Sequence, residues 1–155
     1  MTVCFTGHRN MNPENVFCTL NTLEEIIRKC ARNNSEVIFR AGGAIGFDML
    51  CALSVIDAKD EYKNIKLHLI LPCKNQTRGW SDANIQKYDY ILSQADSVEY
   101  VSDVYTRHCM FDRNRALVDG CDLCVAYHDG LGEGGTAYTV RYAKSHNVKV
   151  LNVYK

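Results

Sequence analysis

The run Val37-Ile38-Phe39 is followed, after Arg40 and Ala41, by Gly42-Gly43-Ala44-Ile45-Gly46-Phe47-Asp48. The pattern returns in Leu123-Cys124-Val125-Ala126-Tyr127, which leads through His128 and Asp129 into Gly130-Leu131-Gly132-Glu133-Gly134-Gly135-Thr136. A short apolar run that stops at a glycine-rich turn and resumes with helical spacing reads as a strand–turn–helix junction. Glycine lets the backbone turn through positive φ and lets a ligand come close to the amides. A helix beginning there aims free N–H groups and a partial positive charge at the turn, where phosphate is a common occupant. Two such junctions in one regular alternation point to a nucleotide-like ligand.

Outward from these turns the alternation continues in both directions. Thr2-Val3-Cys4-Phe5 is a first short strand. Asn12, Pro13 and Glu14 supply a capping residue, a proline at the first helical position and an early acid. Val16, Phe17, Leu20, Leu23, Ile26, Ile27 and Cys30 then form a helical stripe ending at Asn33-Asn34. The helix from Asp48 to about Glu61 is apolar on most sides, which predicts deep packing. Lys66 to Leu71, Ser97 to Val101, Cys121 to Tyr127 and Val148 to Val153 read as further strands. Between them fall a helix capped by Ser81-Asp82, a helix holding Met110, Asn114, Leu117 and Val118, and a helix from Thr136 to His146. Short, continuously apolar strands joined by helices predict a mainly parallel sheet covered on both faces. The expected architecture is α/β, a doubly wound three-layer Rossmann-like sheet in a single domain over residues 1–155.

Composition narrows the function classes. With 18 basic and 18 acidic residues, the net charge of zero disfavours a sequence-independent nucleic-acid binder. No apolar run approaches the roughly 18 residues of a membrane span. The opening Met-Thr-Val-Cys-Phe lacks the features of a secretory signal, so a cytoplasmic location is expected. Eight cysteines are scattered through mostly apolar runs, which reads as reduced, buried thiols. Cys121 and Cys124 have metal-like spacing, but three residues apart on a strand they would face opposite ways. Reduced thiols are the expected state, with zinc as the alternative; no metal set and no cofactor is expected.

Ligands of such sheets bind beyond the carboxyl ends of strands, and the polar residues collect there: Thr6-Gly7-His8-Arg9, the Gly42–Asp48 turn, the segment after Pro72, and His128-Asp129 with the second glycine turn. Arg9 and Arg115 are candidates to grip phosphate in forked geometry. Arg113 reads as a solvated neighbour. His8 is a ligand contact or a hydrogen-bonded structural histidine. Asp48 is a ribose-hydroxyl acceptor or an early-helix acid. Thr136 can cap its helix and donate to a phosphate.

Phe5-Thr6-Gly7-His8-Arg9, the Gly42–Asp48 turn, Leu71-Pro72 with Gln76 and Trp80, Arg113-Asn114-Arg115 and Gly134-Gly135-Thr136 occur in one order along nearly the whole chain. In this combination the chain resembles the YpsA-type branch of the SLOG superfamily, a Rossmann-like group that includes the cytokinin-activating LOG enzymes and DprA. The resemblance implies a nucleotide pocket lined by the first loop (Thr6, Gly7, His8, Arg9), both glycine turns (Gly42, Gly43, Ala44, Gly46, Asp48; Gly134, Gly135, Thr136) and the Arg-Asn-Arg segment. It also implies self-association. LOG enzymes place a glutamate three residues after the threonine of their glycine turn; Thr139 stands there in this chain. Leu53 stands where many YpsA-like sequences carry an acid. Glu133 and Asp48 are the remaining catalytic candidates. The expected function is binding of a small nucleotide or nucleotide-derived signalling molecule, as sensor or sequestering protein, without turnover. The alternatives are a LOG-like hydrolase of nucleoside monophosphates and, third, a DprA-like single-strand binder.

Overall fold

Asn12 begins the first helix through its side chain, whose Oδ1 accepts the Glu14 amide at 3.1 Å, with Pro13 in the first turn. Asn34 closes the same helix, its Nδ2 donating to the Cys30 carbonyl at 2.8 Å. Such local signals set the frame of a computed structural model that describes residues 1–155. The elements alternate strictly: β1 (Thr2–Gly7), α1 (Pro13–Asn33), β2 (Val37–Ala41), α2 (Phe47–Ala58), β3 (Ile65–Leu71), α3 (Asp82–Gln94), β4 (Ser97–Tyr100), α4 (Cys109–Val118), β5 (Leu123–Tyr127), α5 (Gly135–Ser145) and β6 (Lys149–Asn152).

All six strands are parallel, in the order β4-β3-β2-β1-β5-β6. The expected doubly wound three-layer sheet is what forms. Side chains alternate across β1: Val3 and Phe5 join α1, α2 and α3 in the larger core, whereas Cys4 joins α4 and α5 in the smaller one. In the larger layer Phe5 and Phe39 stack with ring centroids 5.8 Å apart. Each fully buried side chain of this kind contributes about 1.5–3 kcal/mol relative to exposure. The apolar α2 is used up inside the fold, packed against α1, α3 and the strands β1–β3. Its apolar composition is thus accounted for within the fold.

The cysteine reading needs a correction. β5 begins at Leu123, so Cys121 precedes the strand and the alternation rule does not apply to it. Cys121 and Cys124 lie on the same side, in the smaller core beside Cys4. No disulfide forms, and Cys18 is the one exposed thiol. No helix is long and apolar enough to cross a membrane.

The chain builds outward from β1 to β4, then returns across the sheet to place β5 on the other side of β1. The two adjacent strands diverge in connection at their carboxyl ends, which makes the β1–β5 crevice the switch point where ligands of such sheets bind.

A candidate nucleotide cavity at the β1–β5 switch point

A cavity of about 380 Å³ opens at that crevice. Thr6, Gly7, His8 and Arg9 come from the end of β1, Ala44 and Asp48 from the first glycine turn, Arg113 and Asn114 from α4, and Gly135 and Thr136 from the start of α5. Its size falls within the usual range for small-ligand sites.

The two glycine turns, alike in sequence, differ in what their amides face. In the first, the Asp48 carboxylate turns back on its own loop: Oδ1 accepts the Gly42 amide at 3.1 Å and Oδ2 the Ala44 amide at 2.9 Å. The Gly43 amide between them also favours the charged carboxylate. The concave row of donors expected to hold a phosphate is filled by an anion of the chain itself. Asp48 is buried and its carboxyl is pushed up from the ordinary carboxylate range by that burial, against the pull of Arg113 and the three amides. Gly42, Gly43 and Gly46 do not line the cavity; Asp48 lines it, with its carboxylate turned onto the amides of its own loop. Gly46 is a packing glycine: its φ is +93°, and a Cβ there would collide with the Arg9 carbonyl.

Arg113, read from sequence as solvated, is buried at the centre of the site. Its Nη1 donates to the Gly42 carbonyl at 2.7 Å and its Nε to Asn114 Oδ1 at 2.9 Å. Gln76 Nε2 donates to the same Gly42 carbonyl at 3.1 Å, and Tyr88 donates to Gln76 Oε1 at 3.3 Å. Asn114 Nδ2 reaches the Gly135 carbonyl at 3.5 Å, so the Arg113-Asn114 pair ties the first turn to the second. Burial lowers the Arg113 pKa and Asp48 supports its charge. These opposite charges leave little net field at the first turn.

Arg115 points away. It pairs with Asp112, donates to Tyr138 Oη at 3.5 Å, and does not line the cavity. The signal for choosing Arg113 over Arg115 was present in the sequence: Met110, Arg113, Asn114 and Leu117 repeat at helical spacing, and residue 115 falls on the other face. Trp80 packs edge-on against Tyr88 at 5.6 Å.

The second turn stays open. Gly134 caps α5 with no side-chain hydrogen bond, and Gly135 and Thr136 bring the helix N-terminus to the cavity wall. Arg9 is exposed and lines the same cavity, with no ion-pair partner in the chain. Positive charge facing the cavity thus comes from Arg9 and the α5 terminus. Glu133 is exposed in the loop before Gly134 and lies off the cavity. Thr139 Oγ1 is bonded to the Gly135 carbonyl at 2.8 Å, and Leu53 packs on the core, so neither position offers a reacting group.

His8 sits where the strands bring distant residues together. The Asp129 amide donates to its Nε2 at 3.1 Å, across 121 positions of sequence. Asp129 Oδ1 is 3.2 Å from the same nitrogen and 3.5 Å from His128 Nδ1. Sequence spacing alone gave no hint of this grouping.

The family model for the YspA SLOG family matches residues 3–154. A protein named UPF0398 protein from Bacillus anthracis (strain A0248) is 29% identical over 129 residues, spanning 77% of this chain and 70% of that protein. UPF0398 proteins from Bacillus thuringiensis (strain Al Hakam) and Bacillus cereus (strain Q1) match at the same identity and coverage. With nearly every residue inside the family match, the chain belongs to the YspA SLOG family.

Proposed function

We propose that the chain binds a small phosphate-bearing nucleotide or nucleotide-derived molecule in the β1–β5 cavity and holds it without turnover. The observation that carries this reading is the start of α5 at the cavity wall, free of a side-chain cap, with Gly135, Thr136 and the unpaired Arg9 lining the same cavity. Backbone amides of a helix N-terminus and a free guanidinium are complementary to a phosphate. The first glycine turn shapes the wall and, through Arg113 and Asn114, holds the second in place.

The absence of turnover follows from where the carboxylates are. Cleavage of an N-glycosidic bond develops positive charge at the sugar and needs an acid group beside it. Asp48 is committed to the backbone amides of Gly42 and Ala44, and Glu133 stands off the cavity. A phosphate cradle without a free carboxylate binds substrate and transition state alike, which yields affinity rather than rate.

Heat release of ligand from freshly purified protein, read by mass spectrometry, tests both parts. Intact nucleotide recovered at up to one equivalent supports the proposal. Free base accumulating beyond one equivalent on incubation with nucleoside monophosphates, and lost in Glu133→Gln or Asp48→Asn, establishes hydrolysis instead. Salt-sensitive binding of single strands with no mononucleotide binding would favour the nucleic-acid reading.

A further inference from the structure

β1 and β5 are adjacent and parallel, with Gly7 in register with Tyr127. The residues that follow each strand therefore emerge side by side: His8 from one, His128 and Asp129 from the other. Three potential metal-ligating atoms converge there within 4.8 Å of one another: His8 Nε2, His128 Nδ1 and an Asp129 carboxylate oxygen. We propose that His8, His128 and Asp129 bind one divalent transition-metal ion of the zinc class.

The distances suit such an ion. Tetrahedral ligands on metal bonds of roughly 2.1 Å stand about 3.4 Å apart. Asp129 Oδ1 lies 3.2 Å from His8 Nε2 and 3.5 Å from His128 Nδ1. The third pair, His8 Nε2 and His128 Nδ1, lies within 4.8 Å.

The two imidazoles differ in hydrogen bonding. His8 Nε2 faces the Asp129 amide at 3.1 Å and Asp129 Oδ1 at 3.2 Å, and an ion would displace the amide from the single lone pair of that nitrogen. His128 Nδ1 is enclosed and has no hydrogen-bond partner although it faces that carboxylate. A buried polar atom without a partner is costly and calls for one. A cation placed among the three atoms satisfies this nitrogen and neutralises the carboxylate in one step. Two imidazoles and a carboxylate select zinc and its neighbours over calcium or magnesium, and three protein ligands leave a coordination position open. Because His8 also lines the nucleotide cavity, the ion would sit at the cavity's edge.

The inference stands apart from the nucleotide reading, since its test contains no nucleotide. The protein is titrated with Zn²⁺ by calorimetry, and with Co²⁺ by visible absorption, in a Cys18→Ser background that removes the exposed thiol. The expected result is one equivalent bound with micromolar or tighter affinity, and cobalt bands without sulfur-to-metal charge transfer. Affinity should fall in acid, because ligation requires unprotonated imidazoles. His8→Ala and His128→Ala should each weaken binding at least tenfold, with circular dichroism confirming that the variants fold. Asp129→Asn, which keeps the shape and removes the charge, should weaken binding as well. No saturable uptake in the folded protein would overturn the proposal, as would cobalt uptake with thiolate bands or uptake unchanged in the His8→Ala/His128→Ala double variant.

Discussion

Arg113 donates its Nη1 to the carbonyl of Gly42 at 2.7 Å, and a Cβ on Gly42 would occupy the place of that guanidinium nitrogen. Glycine at 42 is thus required by an arginine on α4, not by a ligand. The pair explains how two turns far apart in sequence are held at one site.

Gly42→Ala should expel Arg113 from its seat and strand its buried partners. A loss of at least about 2 kcal/mol is expected, from steric conflict and unmet hydrogen bonding to a charged group. For a chain of this size that lowers the melting temperature by about 4–8 °C. Thermal unfolding of the variant checks it; a melting temperature within a degree of the parent would show that Arg113 has another place to go.

The two arginines of the Arg-Asn-Arg segment should part company. Arg115→Ala removes an exposed pair with Asp112 and should change stability by less than about 0.5 kcal/mol, leaving nucleotide affinity intact. Arg113→Lys keeps the charge but cannot bond both the Gly42 carbonyl and Asn114 in forked geometry, so it should be clearly destabilised. Chemical denaturation of both variants distinguishes them; equal midpoints would contradict the burial of Arg113.

Asp96 provides a pH test away from the cavity. Its Oδ2 accepts the Leu67 amide at 2.7 Å and Lys59 Nζ at 2.8 Å. Burial pushes the carboxyl up, but Lys59 and the Leu67 amide outweigh it and hold the pKa below the ordinary aspartate range. A depressed folded pKa means the stabilisation is present above the unfolded value and disappears as pH falls through the folded one. The melting temperature of Asp96→Asn should therefore trail the parent at neutral pH and converge with it in acid. A gap that persists unchanged into strong acid would refute the assignment.

The fold was legible because each element carries its own local signal. Asn12-Pro13-Glu14 starts α1, Ser81 caps α3, and the glycine turns mark two strand ends. The site was legible only in part. That polar residues gather beyond β1 and β5 follows from strand order, but which amides are free does not. The Asp48 carboxylate turns inward because three amides of its own loop lie in reach, a fact of tertiary geometry. Arg113 could have been found from helical spacing, which groups it with Met110, Asn114 and Leu117 and turns Arg115 away. The meeting of His8 with His128 and Asp129 depends on β1 pairing with β5, which no local pattern encodes.

The central claim is that the α5 N-terminus holds the ligand's phosphate, and Gly135 is the place to test it. A Cβ at this position meets only Asn114 Nδ2, at an ordinary 3.6 Å, so a side chain there fits the fold while projecting beside the cavity. Calorimetric titration with nucleoside monophosphates, diphosphates and ADP-ribose should give saturable binding to the parent protein. In Gly135→Leu the best of these ligands should bind at least tenfold more weakly, with the melting temperature of the ligand-free protein nearly unchanged. Equal affinity in the parent and in Gly135→Leu would contradict the account.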